Sequence, residues 1–208
     1  MPDFSPPYAS CPTDRALRSM FRARKRVFVD LLKWDVPVLE DEYEMDQFDT
    51  FDAAYLILAD NDANHRASAR LLQTDRPHIL GSLFPVLCEG PVPSGEGYRE
   101  ITRFCIEPTL PRSERRLVRD QLVTALAEHA LATGLIGYTA VANRAWFDQI
   151  AKFGWTCSSL GPIRSINGVR LTALQIDIDE TTIAGLRSSG IYRPAPFRTA
   201  RIIPEYAS

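Results

Sequence analysis

Between Asp35 and Asp52 the chain carries Asp35, Glu40, Asp41, Glu42, Glu44, Asp46, Asp49 and Asp52, with no Lys or Arg among them. Acidic runs are ordinarily solvated. This one is interleaved with Trp34, Tyr43, Met45, Phe48 and Phe51, side chains that do not belong on a freely hydrated loop. Carboxylates beside ring faces suit a cationic ligand, through charge pairing and cation–π attraction. Upstream, Leu17, Phe21, Phe28 and Leu31 recur at helical spacing, and Arg24 falls on the same stripe. A guanidinium among apolar residues must snorkel to water or meet carboxylates, because an unpaired buried charge is costly. The acidic run supplies the carboxylates.

The elements that position these groups follow from hydrophobic period and punctuation. A first helix is expected over residues 14–33, capped by Thr13 or Asp14. A strand over 53–59, a turn at Asp60 to Asn64 and a strand over 65–73 form a hairpin. The second strand carries Arg66, Ser68 and Arg70 on one face, and the hairpin holds Arg70 over the acidic segment. A short helical turn surrounds Phe84 and Pro85, and a surface connection runs from Gly90 to Gly97. In the strand over 98–106, alternation puts Glu100 and Arg103 on opposite faces. If both line one site, the strand must bulge between them. A helix over 113–133 buries Leu117, Val118, Leu122, Ala125, Leu126 and Ala130, and Gly134 stops it. A strand over 135–142, a helix from the Asn143 cap through Phe153, and strands over 155–159 and 169–177 complete an α/β sandwich with a central mixed sheet.

The chain has 208 residues and a net charge of −2. One domain over residues 1–208 is expected, with residues 1–12 as a loose arm and about 181–208 as a C-terminal tail. The charge excludes general nucleic-acid binding. No apolar run is long enough to span a bilayer, and the N-terminus lacks a secretory signal pattern, so a cytoplasmic protein is expected. Cys11, Cys88, Cys105 and Cys157 show no paired spacing, and with His65, His78 and His129 they give no support for a metal site.

Three blocks in register carry a family resemblance. The first is Arg24, Phe28, Trp34 and Glu44-Met45-Asp46-Gln47-Phe48-Asp49 with Ala54-Tyr55. The second is Arg70-Leu71-Leu72-Gln73-Thr74 followed by Phe84-Pro85, and the third is Glu100-Ile101-Thr102-Arg103-Phe104. Together they resemble the LuxI-type acyl-homoserine lactone synthases, the autoinducer synthases of bacterial quorum sensing. The fit past residue 110 is looser.

The resemblance implies a fold like the GNAT N-acetyltransferases, a three-layer α-β-α sandwich whose sheet is mostly antiparallel. In ordinary members of that fold a Gly-rich turn cradles the coenzyme A pyrophosphate; here the turn is Glu107-Pro108-Thr109-Leu110-Pro111, with no glycine. It further implies an acyltransferase that uses S-adenosyl-L-methionine as substrate, needs no cofactor, and takes its acyl group from acyl carrier protein or coenzyme A. The substrate amine attacks the thioester, and its carboxylate then closes the lactone and expels methylthioadenosine. Glu100 is the first choice of general base and Asp46 the competitor. Arg70 completes the catalytic set; Arg24, Phe28, Trp34, Glu44, Asp49, Phe84, Arg103, Phe104 and Thr139 bind substrate. Phe28 and Trp34 would receive the sulfonium, and Thr139 would bond the extra carbonyl of a 3-oxo acyl chain. Arg112, Arg115, Arg116 and Arg119, with Arg144 or Lys152, form a basic patch for the donor. An N-acyltransferase acting on another amine, and a non-catalytic binding relic, are the competing readings.

Overall fold

The computed structural model describes residues 14–202, so the expected arm and the alternative cap Thr13 lie outside the described residues. The chain resolves into two compact units. Unit one comprises Met1–Arg70, Arg103–Leu122 and Ala195–Ser208; unit two comprises Leu71–Thr102 and Val123–Pro194.

In unit one, helix α1 (Arg15–Arg24) starts at the Asp14 cap, whose carboxylate accepts from the amides of Ala16 and Leu17 at 2.8 and 3.0 Å. It buries Leu17, Met20, Phe21 and Arg24. The expected helix does not run on unchanged: Lys25–Leu31 is π-helical, and Leu32 N donates to Val27 O. The wider π turn changes the period, so Phe28 stays buried while Leu31, expected on the core stripe, is 64% exposed. Two short strands that the sequence pattern did not signal, β1 (Val38–Leu39) and β2 (Tyr43–Glu44), pair antiparallel and turn the acidic segment back. β3 (Ala54–Ala59) and β4 (His65–Gln73) appear where expected, β4 running on into unit two.

β5 (Tyr98–Ile106) and α3 (Arg112–Thr133) likewise run through both units. The regular alternation of β5 breaks: Glu100, Ile101 and Thr102 are all buried, and Arg103 takes a left-handed φ of 47°. A non-glycine residue held there is strained. Along α3, Val118, Leu122, Ala125, Leu126 and Ala130 are buried as expected, but Leu117 is 42% exposed.

Unit two continues with β6 (Gly137–Asn143), α4 (Arg144–Ile150), β7 (Thr156–Ser159), β8 (Arg164–Ile166) and β9 (Val169–Asp177). Asn143 caps α4 through a bond from Trp146 N at 2.9 Å, and α4 ends at Ile150, three residues earlier than expected. The helical turn before β5 is α2 (Ile79–Leu83). The stretch read as a tail instead forms α5 (Thr182–Ser188), anchored by buried Thr182, Leu186 and Ile191. In unit one, β10 (Arg198–Ala200) pairs antiparallel with β3.

Strand order is β10-β3-β4-β5 in unit one and β4-β5-β6-β9-β7 in unit two, with β8 beside β9. β5 and β6 run parallel, and the other described pairings are antiparallel. This is the mixed, mostly antiparallel α/β sheet expected from the sequence.

Candidate functional site

The acidic segment divides by environment. Asp35, Glu40 and Asp41 are exposed, whereas Glu44, Asp46 and Asp49 are buried. The buried three are supplied by β2 and the turns after it, which fold inward because Tyr43, Met45 and Phe48 alternate with them as core side chains.

Each buried carboxylate meets guanidinium groups. Arg24 Nε donates to Glu44 Oε2 at 2.6 Å, and its two terminal nitrogens form a fork on Asp49 at 2.7 and 2.8 Å. Arg70 makes the same fork on Asp46 at 2.6 and 3.0 Å and pairs with Asp49 at 2.8 Å. Arg103 bonds Glu44 through Nε at 3.1 Å and Nη2 at 2.9 Å, and Asp46 through Nη2 at 2.7 Å. Tyr55, on β3, donates its hydroxyl to Asp49 at 2.8 Å. Three acids and three guanidiniums balance, and planar forks of this kind are the strong form of the ion pair.

The electrostatics follow. Burial pushes the Asp49 carboxyl up, but Arg24 and Arg70 outweigh it and hold the group well below the usual carboxylate range. Asp46 is also lowered: burial opposes, and Arg70 followed by Arg103 prevails. Arg70 and Arg24 are raised, because Asp49 together with Asp46 or Glu44 overcomes the burial that works against the cation. The Tyr55 hydroxyl is pushed up by burial and by Asp49. All of these groups therefore sit in their pairing states over the ordinary pH range.

The two rings expected to receive a cation are already facing one. Phe28 and Trp34 stack with centroids 4.8 Å apart, and the Arg103 guanidinium lies 5.4 Å from the first ring and 5.5 Å from the second. Phe104, half-buried, follows Arg103 in β5.

Unit two holds the remaining expected residues. Glu100 is fully buried, and its Oε1 accepts from the amide of Leu80 at 2.9 Å. Its register partner in β6 is Thr139, whose buried hydroxyl has no hydrogen-bond partner among the described residues. Phe84 packs against an apolar cluster of Leu80, Leu87 and Ala173.

On α3, Arg112, Arg115 and Arg116 are exposed as the basic patch requires, whereas Arg119 is tied to Asp120 at 2.5 Å. Arg144 is engaged with Asp148 at 2.8 Å. The glycine-free turn is filled by its own acid: Glu107 accepts from the Thr109 hydroxyl at 3.0 Å and from Arg26 at 2.5 Å. Those bonds, with the His65 ring 3.9 Å away, win over burial and bring its pKa to about 2. Cys105, beneath Phe28, is pushed up to about 12 by burial and is no nucleophile.

Sequence reasoning had not placed Tyr55 in this constellation. The available signal was a tyrosine inside an otherwise apolar strand, since a buried phenol needs a partner. The contact of Arg103 with both rings had no sequence signal, because it depends on the left-handed turn of β5.

Comparison with known proteins places the chain among relatives. Residues 11–186 match the family model described as autoinducer synthase. An acyl-homoserine-lactone synthase of Ralstonia nicotianae (strain ATCC BAA-1114 / GMI1000) is 34% identical over 175 residues, covering 80% of this chain and 84% of that one. A solved coenzyme A-dependent acyl-homoserine lactone synthase, BjaI, with S-adenosylmethionine and isopentyl-CoA, is 25% identical. It superposes with a TM-score of 0.77 over 86% of this chain and 83% of that one. An N-acetyltransferase structure from Lactobacillus plantarum, 18% identical with a TM-score of 0.55 over 85% of this chain and 96% of that one, shares the fold alone.

Proposed function

The chain belongs to the autoinducer synthase family, and on that footing we propose that it is an acyl-homoserine-lactone synthase. It joins S-adenosyl-L-methionine to an acyl thioester, yielding an N-acyl-L-homoserine lactone and methylthioadenosine. The whole chain acts as a single synthase domain.

The first step needs an uncharged amine, hence a base in reach of the substrate ammonium. Glu100 takes that role. Asp46 is the poorer candidate, because its oxygens already accept from Arg70 and Arg103 and its carboxyl is held below its ordinary range. The freed amine attacks the thioester carbonyl and the thiol departs, leaving an amide. In the second step the substrate carboxylate displaces the sulfonium within the same molecule, so proximity supplies most of the rate. Both leaving groups arrive on the substrates, and the scheme draws on no cofactor.

Arg24, Arg70, Glu44 and Asp49 give the S-adenosylmethionine site its shape, with Phe28 and Trp34 as its walls. The acyl chain lies along Phe84 and the apolar cluster of unit two, where the Thr139 hydroxyl bonds a 3-oxo group. The donor is acyl carrier protein or acyl-CoA, drawn by the exposed arginines of α3. No helix among the described residues is long and apolar enough to cross a membrane, and the reaction is assigned to the cytoplasm, where its substrates are made.

The observation that supports this reading most is the inward set of Arg24, Glu44, Asp46, Asp49, Arg70 and Arg103, the charged residues through which the resemblance was first drawn. The test is product analysis by mass spectrometry. Purified protein given S-adenosylmethionine and a panel of acyl thioesters on both carriers is expected to yield acyl-homoserine lactone and methylthioadenosine in equal amounts. An acyl amide without methylthioadenosine would overturn the proposal.

A further inference from the structure

Arg103 differs from the other two guanidiniums of the cluster. The side chains of Arg24 and Arg70 are sealed at 1% and 0% exposure, whereas that of Arg103 is 9% exposed. It also stands on the strained left-handed residue of β5. On one side it faces the Phe28 and Trp34 rings at 5.4 and 5.5 Å; on the other it bonds Glu44 and Asp46. A place between aromatic faces and carboxylates is where a cationic ligand is best held, and a cation of the chain itself fills it.

Charge balance sharpens the point. Glu44, Asp46 and Asp49 are matched by Arg24, Arg70 and Arg103, so an arriving sulfonium meets no net negative charge. With Arg103 withdrawn, the same walls carry one carboxylate charge in excess. We infer that Arg103 is a specificity-determining residue that holds the sulfonium's place: the cationic substrate takes its position against Phe28 and Trp34, and the guanidinium swings outward. The exchange trades one cation for another, so the buried carboxylates are never left unpaired. A neutral thioether has no charge to trade and leaves Arg103 where it is. This rests on the reading of S-adenosylmethionine as substrate.

The sign of the effect separates this role from that of an ordinary contact residue. By calorimetry, Arg103→Gln is expected to bind S-adenosylmethionine about tenfold more tightly than the wild type, with S-adenosylhomocysteine changing by less than about threefold. A residue that merely touched the ligand would give weaker binding on removal, and that result overturns the inference. Wild-type protein provides a second measurement that needs no variant to fold. In phenylglyoxal labelling mapped by mass spectrometry, S-adenosylmethionine is expected to raise the reactivity of Arg103 and S-adenosylhomocysteine is not. Lowered or unchanged reactivity on binding S-adenosylmethionine contradicts the exchange. If the wild type turns over S-adenosylmethionine and both measurements go against it, the inference alone fails; if it neither binds nor consumes it, the functional reading fails as well.

Discussion

The two units bury polar groups in opposite ways. In unit one, Glu44, Asp46 and Asp49 are saturated by Arg24, Arg70, Arg103 and Tyr55, with charged bonds of 2.6 to 3.2 Å. In unit two, Glu100 is buried beside Thr139, whose hydroxyl finds no partner among the described residues, and the neighbouring cluster is apolar. Saturated charge is rigid and chemically quiet, because each carboxylate is committed to a guanidinium. The Glu100 carboxylate of unit two accepts instead from a backbone amide, that of Leu80. On the proposed function, unit one shapes and unit two reacts.

Breaking the saturated side has the largest expected effect. Arg24→Met removes the buried fork on Asp49 and the bond to Glu44, leaving those acids to Arg70 and Arg103 alone among the three guanidiniums. Removing one partner of such a set costs about 3–5 kcal/mol, readable as a drop in the denaturant midpoint of unfolding. A loss below about 1 kcal/mol would show that the cluster is not what holds unit one together. Next in size, Asp46→Asn disturbs the pairing of Arg70 and Arg103 and is expected to weaken S-adenosylmethionine binding about tenfold, by roughly 1.4 kcal/mol. An unchanged dissociation constant by calorimetry would free Asp46 from any part in the site.

Acid titration probes the same division more gently. Asp46, Asp49 and Glu107 have folded-state pKa values below the unfolded values of about 3.9 and 4.3. The stability they contribute is complete above about pH 5 and is lost as pH falls through the folded values. His65 is buried and lowered from its ordinary value, so it adds a smaller loss that begins below roughly pH 6.5. Chemical unfolding across pH should therefore decline shallowly below neutrality and steeply under pH 4, and His65→Gln should remove the shallow part. The smallest effect is expected at Thr139→Val. Losing a buried hydroxyl without a partner changes stability by less than about 1 kcal/mol, while turnover of 3-oxo acyl donors falls relative to unsubstituted ones in a competition assay.

Much of unit one was legible in the sequence for a physical reason. The core side chains Tyr43, Met45 and Phe48 alternate with acids, a pattern that only an inward-facing segment tolerates, and Arg24 on an apolar stripe needed those acids. The π turn after Arg24 was hidden, because its cause lies in packing; Leu31 was misplaced for that reason. Asn167-Gly168 is a hairpin signal that was present but passed over. Both residues have positive φ, 49° and 79°, and join β8 to β9 antiparallel. β10 has three residues and borrows its stability from β3, so no local pattern announces it. The need for a break in β5 followed from alternation, but its position at Arg103 did not.

On the proposed function, one buried carboxylate of unit two performs the proton transfer while the charged cluster of unit one does not. The direct measurement is methylthioadenosine release by Glu100→Gln protein whose unfolding midpoint matches the wild type. Turnover reduced by about a hundredfold or more is the predicted result; wild-type turnover in that folded variant would contradict it.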